Sequence, residues 1–172
     1  MQEQLSGPQR AERPRRIVLT VARSFVRLDG GLELLRQLVT RLYLWAPDAV
    51  LVHGDCPEGD RDAAVVWRRL GGRVEAHPAD WTGPCVETCP PGHRRLRRGP
   101  GVRGGASSRG TSCPAAGMRR NLEMLDTLDP EVDEVRALLA PGSRGAAGTV
   151  AEAHRRGLRV REFDISHGAA LV

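Results

Sequence analysis

Two groups of residues have the types and spacing to do chemistry. The first is a glycine-rich run, Pro141-Gly142-Ser143-Arg144-Gly145-Ala146-Ala147-Gly148-Thr149, with Glu152 just beyond it. It lies between an apolar stretch, Val135 to Ala140, and a segment with helical character, Val150 to Arg156. A glycine-rich turn from strand into helix leaves backbone N–H groups unpaired and clear of side chains. The helix dipole adds positive potential there, so a phosphate or other anion is the natural occupant. Arg144 supplies a fixed charge in the same turn. The second group is Cys85, Cys89, His93 and Cys113, with three residues between each of the first three and the last cysteine twenty positions on. Three thiolates and one imidazole make a normal tetrahedral zinc shell. Pro90 and Pro91 exclude a continuous helix and favour a knuckle. Cys56 lies too far upstream to join this spacing and reads as a side chain packed at a strand end.

These residues need a frame to hold them. The 172 residues suffice for one domain with a real core. Aromatic residues are only 3% of the chain, so Val, Leu and Ala must fill that core. All 26 basic residues are arginine, which points to a GC-rich coding sequence. A net charge of +5 permits binding to anions or nucleic acid without requiring it. No apolar run approaches the ~20 residues of a membrane span. Residues 1–16 are polar and arginine-rich with no apolar core, so no secretory signal is visible and a cytoplasmic protein is expected. In that compartment a metal is a better use of the cysteines than disulfides.

Along the chain, residues 1–16 read as a disordered basic arm. Strands are expected at Ile17–Ala22, Ala49–Val52, Arg73–His77, Val135–Ala140 and Leu158–Phe163. Helices are expected around Leu32–Leu42, Ala63–Leu70 and Ala116–Leu128, and from about Ala147 onward. Between residues 82 and 115 the periodicity fails, and the long polar stretch reads as a zinc-binding insert in a domain spanning 17–165. Strands alternating with helices predict an α/β fold with a doubly wound parallel sheet. Such folds bind ligands at the carboxyl ends of the strands, where the polar turns of this chain fall.

Those turns carry a family resemblance. Thr20-Val21-Ala22-Arg23-Ser24-Phe25, His53-Gly54-Asp55-Cys56-Pro57-Glu58-Gly59, His77-Pro78-Ala79-Asp80-Trp81, Ala116-Gly117-Met118-Arg119-Arg120-Asn121 and the turn ending Gly148-Thr149 together resemble the YspA-type branch of the SLOG superfamily. These are Rossmann-like proteins related to LOG and DprA and common in actinobacteria and their phages. The chain departs from the family pattern at Val21 and Ala22, where Gly and Ser are usual, and at Arg61, where Asp is usual. The resemblance implies strand order 3-2-1-4-5 over about five strands. It implies a nucleotide or nucleotide-derived ligand near Thr20, Arg23, His53, Gly54, Arg120, Asn121, Gly142, Arg144, Gly145, Gly148 and Thr149. Similarity to the LOG signature implies catalytic roles for Arg120 and Glu152 in cleaving an N-glycosidic bond, with Asn121 standing where LOG proteins have lysine.

Three functions stay open at this level. One is a nucleotide sensor, the second a nucleoside-monophosphate phosphoribohydrolase. The third is a nucleic-acid binder using the insert's Arg94, Arg95, Arg97 and Arg98. Self-association into a homo-oligomer is compatible with each.

Overall fold

The computed structural model describes residues 13–96 and 110–164. The main sheet contains five parallel strands, β1 (Arg16–Val21), β2 (Val50–His53), β3 (Arg73–Ala76), β6 (Glu134–Leu139) and β7 (Arg159–Asp164), in the order β3-β2-β1-β6-β7. This is the expected 3-2-1-4-5 order of a Rossmann-like fold. Between them lie α1 (Arg23–Val26), α2 (Gly31–Trp45), α3 (Asp60–Arg69), α4 (Ala116–Asp126) and α5 (Arg144–Arg155). A two-stranded antiparallel ribbon, β4 (Arg95–Leu96) with β5 (Thr111–Ser112), belongs to the insert.

The central strand β1 is buried along nearly its whole length, as a parallel strand covered on both faces must be. Its alternate residues feed two cores. Ile17, Leu19 and Val21 pack with Leu35, Val39 and Trp67 of α2 and α3. Val18 packs with Met124 and Leu125 of α4 and Ala153 of α5. The strand thus sets which helices lie on which face.

Helix ends follow local chemistry. α2 stops at Ala46, immediately before Pro47. α3 starts with Asp60 and Asp62 in its first turn, where the dipole favours acids. Gly71 (φ +94°) and Gly157 (φ +71°) close α3 and α5 in the left-handed conformation. The following amides, Gly72 and Leu158, bond back to Trp67 O and Ala153 O at 3.0 Å, satisfying the last-turn carbonyls.

Several expectations change. The arm expected over residues 1–16 gives way at Arg13, because the fully buried Asp133 accepts bonds from Arg13 Nη2 (2.5 Å), the Arg16 amide (2.7 Å) and the Asp129 amide (2.8 Å). Residues 1–12 lie outside the described residues, as do 97–109 of the insert and residue 165 of the expected domain. The last long helix begins at Arg144, not near Ala147, so six of the nine residues of the expected glycine-rich turn are helix. Ala146 and Ala147 favour helix, and Gly148 lies under Met118, whose Cε would stand 2.9 Å from a Cβ there. The short helix α1 is not foreshadowed by any periodicity in the sequence.

Trp67 is fully buried, meets Tyr43 edge-on at 5.2 Å between ring centroids, and fills the space beside Gly72. Trp67→Ala should cost about 3–5 kcal/mol, because the α2–α3 layer cannot collapse into so large a gap. Urea unfolding should show a lower midpoint with an unchanged slope. An unchanged midpoint would show that Trp67 does not anchor this layer.

Candidate functional site

At the carboxyl ends of the strands a cleft of about 1090 Å³ opens over β1, β2 and β6. It lies at the topological switch point, where the chain leaves β1 in one direction and β6 in the other. Eight of the residues anticipated as binding a ligand line it: Thr20, Arg23, Gly54, Arg120, Asn121, Gly142, Arg144 and Gly145. Four anticipated site residues do not: His53, Gly148, Thr149 and Glu152.

The anion corner is tighter than the sequence suggested. With α5 starting at Arg144, the amides of Ser143 and Arg144 bond to Ala140 O (3.2 Å) and Gly142 O (3.0 Å), and Ala147 N bonds to Ser143 O (3.2 Å). Among the described residues, Gly145 and Ala146 are therefore the N–H groups without a backbone partner at this end. Arg144 is exposed next to them and Arg23 is exposed in the same cleft, and among the described residues neither takes part in an ion pair.

Gly148 and Thr149 serve helix packing. The Thr149 hydroxyl is buried, donates to Gly145 O (3.0 Å) and accepts from Asn121 Nδ2 (2.8 Å). Asn121 Oδ1 accepts in turn from Arg120 Nε (2.7 Å), and Arg120 Nη1 donates to His77 O (3.0 Å). The guanidinium lies flat against Gly54, where a Cβ would come within 2.3 Å of Nη1. This close approach explains glycine at position 54. Glu152 is claimed by arginines of its own helix end: its carboxylate accepts from Arg155 (2.5 and 2.8 Å) and Arg156 Nε (2.6 Å). Those bonds, Arg155 first, pull its pKa down to about 2.

The buried carboxylate of the cleft is Asp60, which is not among the site residues read from the sequence; Asp55 also lines the cleft. Asp60 is 5% exposed, and one carboxylate oxygen accepts from the amides of Gly54 (3.1 Å) and Cys56 (3.2 Å). Burial pushes its pKa up to about 6, against those bonds and the nearby Arg120. Its neighbours divide other tasks: Asp62 accepts from the Gly59 amide (3.0 Å), and Arg61 makes a two-pronged pair with Asp55 (2.8 and 2.9 Å). His53 is 1% exposed; its Nδ1 accepts from the Asp55 amide (3.0 Å) and burial drops its pKa to about 4, so it is neutral. Val21, where the family pattern has glycine, fits because Gly59 (φ +84°) gives way: a Cβ there would stand 2.7 Å from Val21 Cγ1.

The insert brings its four expected ligands together. The Sγ atoms of Cys85, Cys89 and Cys113 and a ring nitrogen of His93 all lie within 4.8 Å of one another, with no disulfide, and can hold a metal ion. Cys89 Sγ is 3.8 Å from Cys113 Sγ, and His93 Nε2 is 3.2 Å from Cys113 Sγ and 3.6 Å from Cys85 Sγ. His93 Nδ1 is 2.6 Å from Pro90 O, a contact that places its proton on Nδ1 and leaves Nε2 facing the sulfurs. Two arginines face the sulfurs. Arg119 Nη1 donates to Cys113 (3.3 Å) and Cys89 (3.6 Å), and Arg94 Nη1 donates to Cys85 (3.4 Å).

Arg94 also donates to Thr82 O, Gly83 O, Thr111 O and Thr111 Oγ1, so it ties the insert together rather than facing solvent. Of the four-arginine cluster read as a nucleic-acid patch, Arg95 remains exposed in β4, while Arg97 and Arg98 lie outside the described residues.

His53 and Asp60 give the protein a testable acid response. The folded His53 pKa lies below the ordinary 6.5, so the unfolded chain binds more protons between about pH 4 and 6.5 and stability rises with pH there. The folded Asp60 pKa lies above the ordinary 3.8, so the folded chain binds more protons between about pH 4 and 6 and stability falls with pH there. Each effect is about 3 kcal/mol, and the two oppose. The wild type should therefore be nearly flat across this window. Asp60→Asn should become less stable on acidification, and His53→Gln more stable. Urea midpoints against pH read both slopes, and parallel profiles for the two variants would refute the assignment.

No family model, curated protein or solved structure matches this chain, so the functional reading rests on the cleft and on the Cys–His cluster.

Proposed function

We propose that the protein binds a nucleotide or nucleotide-derived ligand in the cleft at the strand ends, with a structural zinc ordering the insert beside it. The observation that carries this reading is that Arg23, Arg144 and the two α5 amides without a backbone partner line the same switch-point cleft. Guanidinium groups and helix N-terminal amides together are suited to a phosphate. The resemblance to the YspA-type SLOG proteins points the same way. Binding without turnover is favoured over a glycoside-bond hydrolase, because Glu152 stands outside the cleft and is held by two arginines.

Zinc is the metal that suits the cluster. Bonds of about 2.3 Å to sulfur and 2.0–2.1 Å to nitrogen place tetrahedral ligands about 3.6–3.8 Å apart. Three of the six separations are 3.2, 3.6 and 3.8 Å, and all six lie within 4.8 Å. A three-thiolate shell with no open position is a structural site, and no step of catalysis is routed through it. The ion would fix Cys113, whose carbonyl accepts the Ala116 amide at the start of α4 (3.1 Å). It would thereby hold the helix that carries Arg120 and Asn121 into the cleft.

Titration calorimetry with nucleoside monophosphates at low salt tests the ligand. Arg144→Ala should weaken binding about ten- to a hundredfold, the loss expected for hydrogen bonds to a charged group. No binding by any nucleotide would remove the reading. Elemental analysis of purified protein should find about one zinc per chain, and Cys89→Ala should abolish it while the five-stranded sheet stays folded. Absence of zinc, or loss of the sheet with it, would refute the structural role.

A further inference from the structure

Three tryptophans occur in the chain, and their surroundings differ. Trp67 is buried in the core. Trp45 is 51% exposed, but the guanidinium carbons of Arg15 and Arg136 lie 4.9 and 5.1 Å from its ring centroid and cover it. Trp81 is 46% exposed, lines the cleft, and among the described residues has no cation or aromatic ring stacked on it.

An exposed tryptophan normally wavers; this one is fixed on both sides. Its carbonyl accepts the Cys113 amide (2.9 Å), which ties it to the Cys–His cluster. Immediately before it, Asp80 accepts from the amides of Thr82 (3.3 Å) and Gly83 (2.7 Å), locking the turn that follows Trp81. Its six-membered ring edge rests on Gly117 of α4: a Cβ at that position would come within 3.0 Å of Cη2 and 3.6 Å of Cζ2. Glycine at 117 is thus what lets the indole lie against the wall of the cleft. The result is a half-exposed indole, held at its backbone and against Gly117 and with no ring or cation stacked on it among the described residues, in the same cleft as Arg23, Arg144 and the α5 amides.

We infer that Trp81 is the platform on which the base of the nucleotide stacks, so that the cleft selects a phosphorylated compound bearing a planar aromatic ring over a sugar phosphate. The inference rests on the phosphate-binding reading of the cleft and adds the second half of the ligand. Stacking tolerates any base, because every base has a π-face. The metal-bearing insert acquires a purpose from it: through Cys113 it sets the position of the ring that discriminates.

The test compares the four ribonucleoside monophosphates with ribose 5-phosphate by calorimetry, in wild type, Trp81→Leu and Trp81→Phe. Thermal melts of each variant verify folding. In the wild type at least one nucleotide should bind more tightly than ribose 5-phosphate. Trp81→Leu should erase that advantage, weakening the nucleotide roughly five- to a hundredfold while leaving ribose 5-phosphate unchanged. Trp81→Phe keeps a ring and should retain most of the advantage, which guards against a merely structural effect at this position. Equal affinity for nucleotides and ribose 5-phosphate, or an advantage that survives in Trp81→Leu, overturns the inference while the phosphate site stands. Failure of every phosphate compound to bind overturns both.

Discussion

The cleft depends on one buried chain of hydrogen bonds. It runs from Gly145 O through the Thr149 hydroxyl, the Asn121 amide and the Arg120 guanidinium to His77 O. The chain begins in the first turn of α5, crosses α4 and ends just past β3, so three segments far apart in sequence are fixed in one geometry. Asn121 and Thr149 are at most 9% exposed, and each uses both its donor and its acceptor. In so dry a setting an orphaned member would cost more than the bond it makes, which ties the whole chain to one arrangement. The positions of Arg120, Gly145 and the α5 amides around the cleft follow from it.

Electrostatics divides the cleft into layers. Beneath the surface lie groups whose charge burial opposes: His53, held neutral, and Asp60, with its carboxyl pushed up toward 6. Arg120 lies next to Asp60, and burial lowers the pKa of its guanidinium while Asp60 counters that shift. Their hydrogen bonds go to the segments just past β2 and β3: Asp60 accepts from the Gly54 and Cys56 amides, His53 Nδ1 accepts from the Asp55 amide, and Arg120 donates to His77 O. At the rim, Arg23 and Arg144 carry charge without an ion-pair partner among the described residues. Most other arginines near this end are committed, as Arg27 is to Glu58 and Arg61 to Asp55. The cleft is therefore electropositive where a ligand would enter and neutralised where the fold needs it closed.

The insert follows the same economy with sulfur in place of carboxylate. A polar segment with two-residue strands cannot bury enough apolar surface to order itself. Cross-links do that work: the Cys–His cluster, the Arg119 and Arg94 bonds to its sulfurs, and the fan of Arg94 donors onto loop carbonyls. Cys113 is the hinge between insert and domain. It is fully buried, its side chain belongs to the cluster, its amide holds Trp81 and its carbonyl caps α4.

The sequence by itself determined the strand and helix alternation, and with it the parallel sheet and the cleft at its carboxyl ends. Hydrophobic periodicity encodes those features locally: the β-branched run of β1 and the Leu35–Val39 stripe of α2 fix which residues turn inward. Ligand spacing encoded the Cys–His cluster in the same way, since Cys85, Cys89 and His93 reach one another across a short knuckle. The tertiary structure decided which polar side chains face the cleft. Asp60 and Trp81 were written in plain view, but a helix-start aspartate and a loop tryptophan carry no mark of what will cover them. Thr149, Gly148 and Glu152 sit in a motif that suggested ligand contact, yet helix α5 begins early enough to turn the first two onto α4 and the third toward Arg155 and Arg156. The start of a helix shifts by a few residues at small local cost, but each residue of shift rotates a side chain by about 100°, as a period of 3.6 residues requires. Only packing against the neighbouring helix selects one setting, and that neighbour lies too far along the chain for local sequence to specify.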